Sequence, residues 1–172
     1  NISEKITALR RLMEQKGWDA AVIPGTDPHG SEYLPERWQH RKWISGFTGS
    51  FGTVVITRSH AGLWTDTRYF IQARKELEGT GFELHPLRVP DAVDYPQWLA
   101  GTLPAGSVTC IDGDCMSYRQ VLVLRQYLSV SGGSIVNTPN FLDQTGRISP
   151  PLPLSPVFIL EKQYSGQRTE EK

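Results

Sequence analysis

The 172-residue sequence has only two cysteines, Cys110 and Cys115. They stand five positions apart, with no further Cys and no paired His beside them, so the spacing supports neither a disulfide framework nor a zinc site. That usage implies a reduced, intracellular, cytoplasmic protein. Charge of one sign is lacking too: 18 Lys and Arg balance 18 Asp and Glu. Without a basic face, nucleic acid and acidic membrane surfaces are excluded as partners. No apolar run is long enough to cross a bilayer, and the opening Asn-Ile-Ser-Glu-Lys has no signal-peptide core. No internal repeat is found.

The stretch from Gly46 to Phe70 organises what is present. Gly46, Gly49 and Gly52 space a loop whose backbone can lie close to another group. Thr53 to Thr57 is β-branched throughout and bounded by turn residues, which predicts a strand. Arg58 to Gly62 reads as a turn and Leu63-Trp64-Thr65 as a short antiparallel partner. Asp66 or Thr67 then caps a helix carrying Arg68, Tyr69 and Phe70 in its first turns. This places Arg68 at a strand end, next to the glycine loop.

Before that unit, Ser3 opens a helix with Ile6, Leu9, Leu12 and Met13 as its apolar stripe, closed by Lys16-Gly17. Ala20 to Pro24 follows as a strand buried on both faces, and helix followed by buried strand marks an α/β layer. Gly25 to Glu36 is a loop past that strand's carboxyl end, where open α/β sheets place ligands. In it, His29 and Glu32 make a weak metal pair, because further ligands at the right spacing are missing; docking of a domain or partner is the favoured role. Trp38, His40, Arg41 and Trp43 lie on a short helix leading into Ser45-Gly46.

Beyond the unit, Tyr69 to Leu77 is helical, Phe82 to Pro86 alternates as an edge strand, and Asp94-Tyr95-Pro96 starts another helix. Val108 to Asp112 is a buried strand, Ser117 caps a helix over Tyr118 to Tyr127, and Ser134 to Val136 is the last short strand. From Pro150 the texture changes, with four prolines in the eight residues from Ser149 to Pro156. Such a stretch is a semi-rigid spacer. Val157 to Leu160 reads as a strand, and Glu161 onward lacks a core pattern. The expected organisation is a domain over 1–149, then a proline-rich linker and the start of a further, truncated domain over 150–172.

Catalytic candidates are poor. Asp112 and Asp114 flank Gly113 as turn formers. Ser50 is not in a Gly-x-Ser-x-Gly elbow, and the glycine spacing is neither a dinucleotide nor a Walker loop. Read alone, Asp66 is a helix cap and Arg68 a solvated cation.

Four runs alter that reading: His29-Gly30-Ser31-Glu32-Tyr33, Ile44 to Ser50, Gly52-Thr53 and Trp64 to Phe70. Together they resemble the amino-terminal domain of the three-domain Xaa-Pro aminopeptidases (aminopeptidase P), within the creatinase/prolidase superfamily. The resemblance implies an α/β fold with a mixed, about six-stranded sheet flanked by helices on both faces. It implies a metallopeptidase parent that removes the residue before an amino-terminal proline bond, with two manganese ions in a carboxy-terminal domain and no cofactor, catalytic residue or metal ligand in this chain, which alone is inactive. It implies a homodimer acting on peptides with proline at the second position. The arginine of the Trp-Thr-Asp-x-Arg-Tyr motif is a substrate contact in the family and maps onto Arg68. His29, Phe47, Asp66 and Tyr69 are candidate substrate or interface residues. Thr67 and Phe51 replace the family's Gly and Ala, so Phe51 is expected to reshape the packing beside the loop. The competing class is a free-standing interaction module that kept the fold without the enzyme.

Overall fold

In the computed structural model, which describes residues 1–152 and 154–171, helix α1 (Ile2–Lys16) opens the chain. Pro153 of the proline-rich stretch and Lys172 of the tail lie outside the described residues. Asn1, rather than Ser3, caps α1: its side chain accepts the Glu4 N–H at 2.9 Å while Glu4 reaches back to residue 1. Gly17 closes the helix in the left-handed conformation, φ 70°.

Six strands follow: β1 (Ala20–Pro24), β2 (Thr53–Thr57), β3 (Ala61–Thr65), β4 (Glu83–Pro86), β5 (Val108–Ile111) and β6 (Ser134–Asn137). They form one mixed sheet in the order β4-β3-β2-β1-β5-β6. Strand β2 runs antiparallel to both neighbours, and every other pairing is parallel, so five carboxyl ends and the start of β2 share one edge. Strand β3 begins earlier than the sequence pattern implies. Ala61 and Gly62 look like turn residues, but they pair with Ile56 and Val55, leaving only Arg58 to His60 for the turn.

Both faces are covered by helices: α2 (His40–Ser45), α3 (Phe70–Leu77), α4 (Tyr95–Thr102) and α5 (Tyr118–Ser129) complete the layers. Neighbouring residues of one strand enter opposite cores. Ile23, Val54, Ile56 and Leu63 join Leu9, Met13, Phe47 and Ala73 on one side. Val22, Val55 and Trp64 join Leu99, Leu124 and Leu128 on the other. Burial on both faces explains why β1 and β2 read as unbroken apolar runs.

Residues 147–150 are tied back to the body. Arg147 Nη2 donates to the Arg37 carbonyl at 2.6 Å, and Arg37 Nη1 donates to the Pro150 carbonyl at 2.8 Å. Past this tie, Leu152 and residues 154–171 are exposed and include the short helix α6 (Lys162–Ser165). Val157 to Leu160 is irregular, not a strand as its composition implies: Val157 is 99% exposed, and among the described residues no strand pairs with this segment.

Candidate functional site

The loop from Gly46 to Gly52 lies at the shared strand edge, and side chains from several elements brace it. Gly46 ends α2 with φ 79°. The next residue, Phe47, turns fully into the core and meets the Tyr69 ring edge-on at 5.9 Å. Tyr69 also approaches Gly49 so closely that a Cβ there would sit 2.7 Å from its ring. At Gly52, φ is 148° and a Cβ would stand 2.8 Å from the Trp64 carbonyl oxygen, so only glycine fits. Thr48 is bound through both its N–H and its hydroxyl to Glu76 of α3, at 2.9 and 2.6 Å. Ser50 Oγ and the Tyr69 hydroxyl are 2.6 Å apart, and Thr65 Oγ1 donates to the Phe51 carbonyl at 2.6 Å.

Beneath the loop lies Arg41, a buried cation. Its Nη1 donates to the Gly52 carbonyl at 2.9 Å and its Nη2 to the Gly49 carbonyl. The guanidinium stands 5.2 Å over the Phe47 ring, in space that any side chain at Gly25 would fill. Burial pushes its pKa down to about 10, which still leaves it charged at neutral pH.

Arg68 lies on the far side of the loop, on a 3-10 turn over Thr67–Tyr69. Asp66 caps that turn, accepting the Arg68 N–H at 3.2 Å. The same carboxylate grips the Arg68 side chain as a fork, Nε to Oδ1 at 3.0 Å and Nη2 to Oδ2 at 3.0 Å. Arg88, held at φ 58° in the loop after β4, adds a second cation 3.2 Å from Oδ2. Asp66 is buried, and these partners hold its carboxyl below the usual carboxylate range, the Arg68 side chain contributing most. Arg68 itself is 56% exposed. Phe51 sits between the two guanidiniums, 5.6 Å from that of Arg68 and 5.3 Å from that of Arg88.

Two adjoining clefts open here and share Gly25, Glu32 and Ser50. One, of 310 Å³, is lined by Tyr33, Trp38, Arg41, Lys42 and Phe47 among others. The other, of 280 Å³, is lined by Ser31, Phe51 and Arg68. The structure thus gathers Phe47, Asp66, Arg68 and Tyr69 around a single loop. His29 is apart: it is exposed, lines neither cleft, and rests edge-on against Trp38 at 6.1 Å. Arg41 and Arg88 escape a sequence reading. Arg41 appears there only as one member of a cationic and aromatic run, and nothing near Arg88 marks it.

Two groups of side chains among the described residues bring three potential metal-ligand atoms within 4.8 Å of one another: His40, Asp112 and Cys115, and His60, Glu83 and His85. Each supplies a single carboxylate, and neither matches the carboxylate-rich donor set that a pair of manganese ions takes. Burial pushes the Cys115 thiol up to about 12 and His40 down to about 4, so the first group is an uncharged thiol and imidazole beside Asp112.

A family model described as Creatinase/Prolidase N-terminal domain matches residues 5–145. The chain is 34% identical over 174 residues to Xaa-Pro aminopeptidase 2 of Homo sapiens, covering 100% of this chain and 25% of that relative; the Mus musculus protein of that name gives the same values. The chain therefore spans about a quarter of the length of these curated relatives. Among solved structures, an X-prolyl aminopeptidase from Caenorhabditis elegans, described as a cytosolic enzyme with a di-nuclear active site, superposes with a TM-score of 0.84 at 32% identity, over 97% of this chain and 29% of that one. A creatinase/prolidase-like N-terminal domain from Corynebacterium diphtheriae shares the fold, with a TM-score of 0.59 at 20% identity over 81% of this chain and 97% of that one.

Proposed function

We propose, from the premise that this chain belongs to the creatinase/prolidase N-terminal domain family, that it is the non-catalytic amino-terminal domain of a metal-dependent Xaa-Pro aminopeptidase. In this reading residues 1–149 are the family domain, and 150–172 are a linker and the start of a further domain. Hydrolysis, and the two metal ions it uses, belong to other parts of the enzyme, and no step of that chemistry is assigned to residues of this chain. The relatives' names support the peptidase class. The cytosolic description of the nematode enzyme supports a cytoplasmic location, and among the described residues no helix is long and apolar enough to cross a membrane. The assembled enzyme is proposed to be a homodimer in which this domain restricts access to the active site.

Arg68 is the residue proposed to touch substrate. One observation carries this: Asp66 fixes Nε and Nη2, yet the side chain stays 56% exposed and lines a cleft. Among the described residues its Nη1 makes no hydrogen bond. An arginine so oriented presents a free, permanently charged donor to a peptide carbonyl or carboxylate without paying the entropy of ordering itself first. Phe47 and Tyr69 shape the loop behind it. The test is kinetic, in the full-length enzyme. Arg68→Ala should lower kcat/KM on Xaa-Pro peptides by roughly one to two orders of magnitude, and Arg68→Lys should not restore it. The 172-residue chain, assayed alone with manganese, should give no turnover. Unchanged kcat/KM in Arg68→Ala would refute the substrate contact; turnover by the pure 172-residue chain would refute the accessory role.

A further inference from the structure

Away from the glycine loop, on the sheet face covered by α4 and α5, three donor side chains converge where β3 meets the edge strand β4. His60 ends the β2–β3 turn. Its N–H donates to Thr57 Oγ1 at 3.0 Å and its carbonyl accepts from the Thr57 N–H at 2.9 Å, so the turn is fixed at both its backbone groups. Glu83 and His85 lie two apart on β4 and so share a face, opposite Gly62 and Trp64 in register. Gly62 makes the convergence feasible. A Cβ there would stand 2.8 Å from His60 Nε2 and 2.9 Å from His85 Cδ2, so any other residue would push the rings apart.

Packing also fixes the two rings. His85 stacks on Trp64, with centroids 3.9 Å apart and planes 9° from parallel, and His60 lies 4.7 Å from Trp98. The two Nε2 atoms end 2.9 Å apart. One donor atom from each of His60, Glu83 and His85 lies within 4.8 Å of the other two.

We propose that His60, Glu83 and His85 form a binding site for one divalent transition-metal ion of the copper or nickel kind. Two imidazole nitrogens and one carboxylate oxygen are a donor set for such ions and not for magnesium or calcium, which prefer oxygen throughout. The spacing selects further. With metal–nitrogen bonds of about 2.0–2.1 Å, two ligands at a right angle are about 2.9 Å apart, whereas tetrahedral ligands are about 3.4 Å apart. The observed separation suits the tetragonal geometry of copper(II) or nickel(II). Zinc would have to open the pair against the Trp64 stack. Glu83 Oε2 stands 3.8 Å from His60 Nδ1, and the side chain is 68% exposed, so a turn of its rotamer would bring the carboxylate to the Nε2 pair as a third ligand and leave the remaining positions to solvent. The competing account is a plain N–H···N bond between two neutral rings, which the same distance permits.

Electron paramagnetic resonance and calorimetry with copper(II) sulfate separate the two accounts. At neutral pH the 172-residue chain should bind one copper per molecule, and its spectrum should carry superhyperfine splitting from two imidazole nitrogens. His60→Ala and His85→Ala should each weaken binding at least about tenfold, Glu83→Gln by less, and His29→Ala not at all. Affinity should fall from copper to nickel to zinc, with magnesium silent. The absence of saturable binding, or a spectrum showing fewer than two nitrogens in the unmodified chain, would establish the hydrogen-bonded pair instead. The spectrum of the unmodified chain decides this even if a variant fails to fold.

Discussion

Two arginines flank the same glycine loop, and the fold puts them to opposite uses. Arg41 is 8% exposed and its fork ends on the carbonyls of Gly49 and Gly52. Arg68 is 56% exposed and its fork ends on a buried carboxylate. A carbonyl partner cannot neutralise a cation, so Arg41 is held in the core only by two aimed carbonyl dipoles and the face of the Phe47 ring. Removing either side leaves buried polar groups unmatched. Asp66 neutralises Arg68 and orients it while leaving it in reach of solvent. Residue type therefore says little about role here; burial and the chemistry of the partner decide it.

Arg41→Ala should break the comparison most visibly. It strands two buried carbonyls and leaves a cavity, at an expected cost of about 3–5 kcal/mol. Arg41→Lys should recover little, since one ammonium lacks the fork that spans two carbonyls. Thermal unfolding measures both; a loss below about 1 kcal/mol for Arg41→Ala would show that the loop holds its shape unaided. Asp66→Asn should be milder, about 1–3 kcal/mol, because the cap and part of the hydrogen bonding survive. Its pH dependence carries a sign. Asp66 is held below the ordinary carboxylate range, chiefly by the Arg68 side chain. Its stabilising contribution is therefore complete above the unfolded-state pKa of about 4 and disappears as pH falls through the lower folded value. Denaturant curves of the two proteins should differ by a constant amount between about pH 8 and 5 and converge in acid. A gap that widened on acidification would contradict the ion-pair description. Arg68→Ala should disturb stability less than Arg41→Ala, lowering Tm by no more than about 4 °C, because Asp66 loses its chief side-chain partner but keeps Arg88 and the backbone N–H of residue 68. A larger shift would make Arg68 a structural residue after all.

What the sequence discloses depends on how far apart the partners lie. Strands β1 and β2 are visible to the residue, because their β-branched, apolar runs end at turn formers. The cap of α5 is equally plain, with Ser117 accepting the Gln120 N–H. Asp66 and Arg68 stand two residues apart in one motif, yet the sequence reads them as a helix cap and a solvated cation; the fork between them is visible only in the folded turn. Arg41 is hidden further: its partners are backbone carbonyls at positions 49 and 52, and a carbonyl has no signature in sequence. Arg88 reaches Asp66 only through the parallel pairing of β4 with β3. The early start of β3 is missed for a related reason, since Gly62, which reads as a turn residue, is small for the sake of the rings packed on it.

The pairing of β1 has a consequence for how the chain comes to be folded. Ala20 faces Thr57 on one side and Thr109 on the other. The antiparallel side closes early, with the β2–β3 hairpin beside it. The parallel side must wait for residues far along the chain, over a much longer loop. During synthesis, then, the wholly buried Ala20–Pro24 strand is left with one row of N–H and C=O groups open until β5 has emerged. Through that interval the half-built sheet presents an apolar edge on which a strand from another nascent chain could pair.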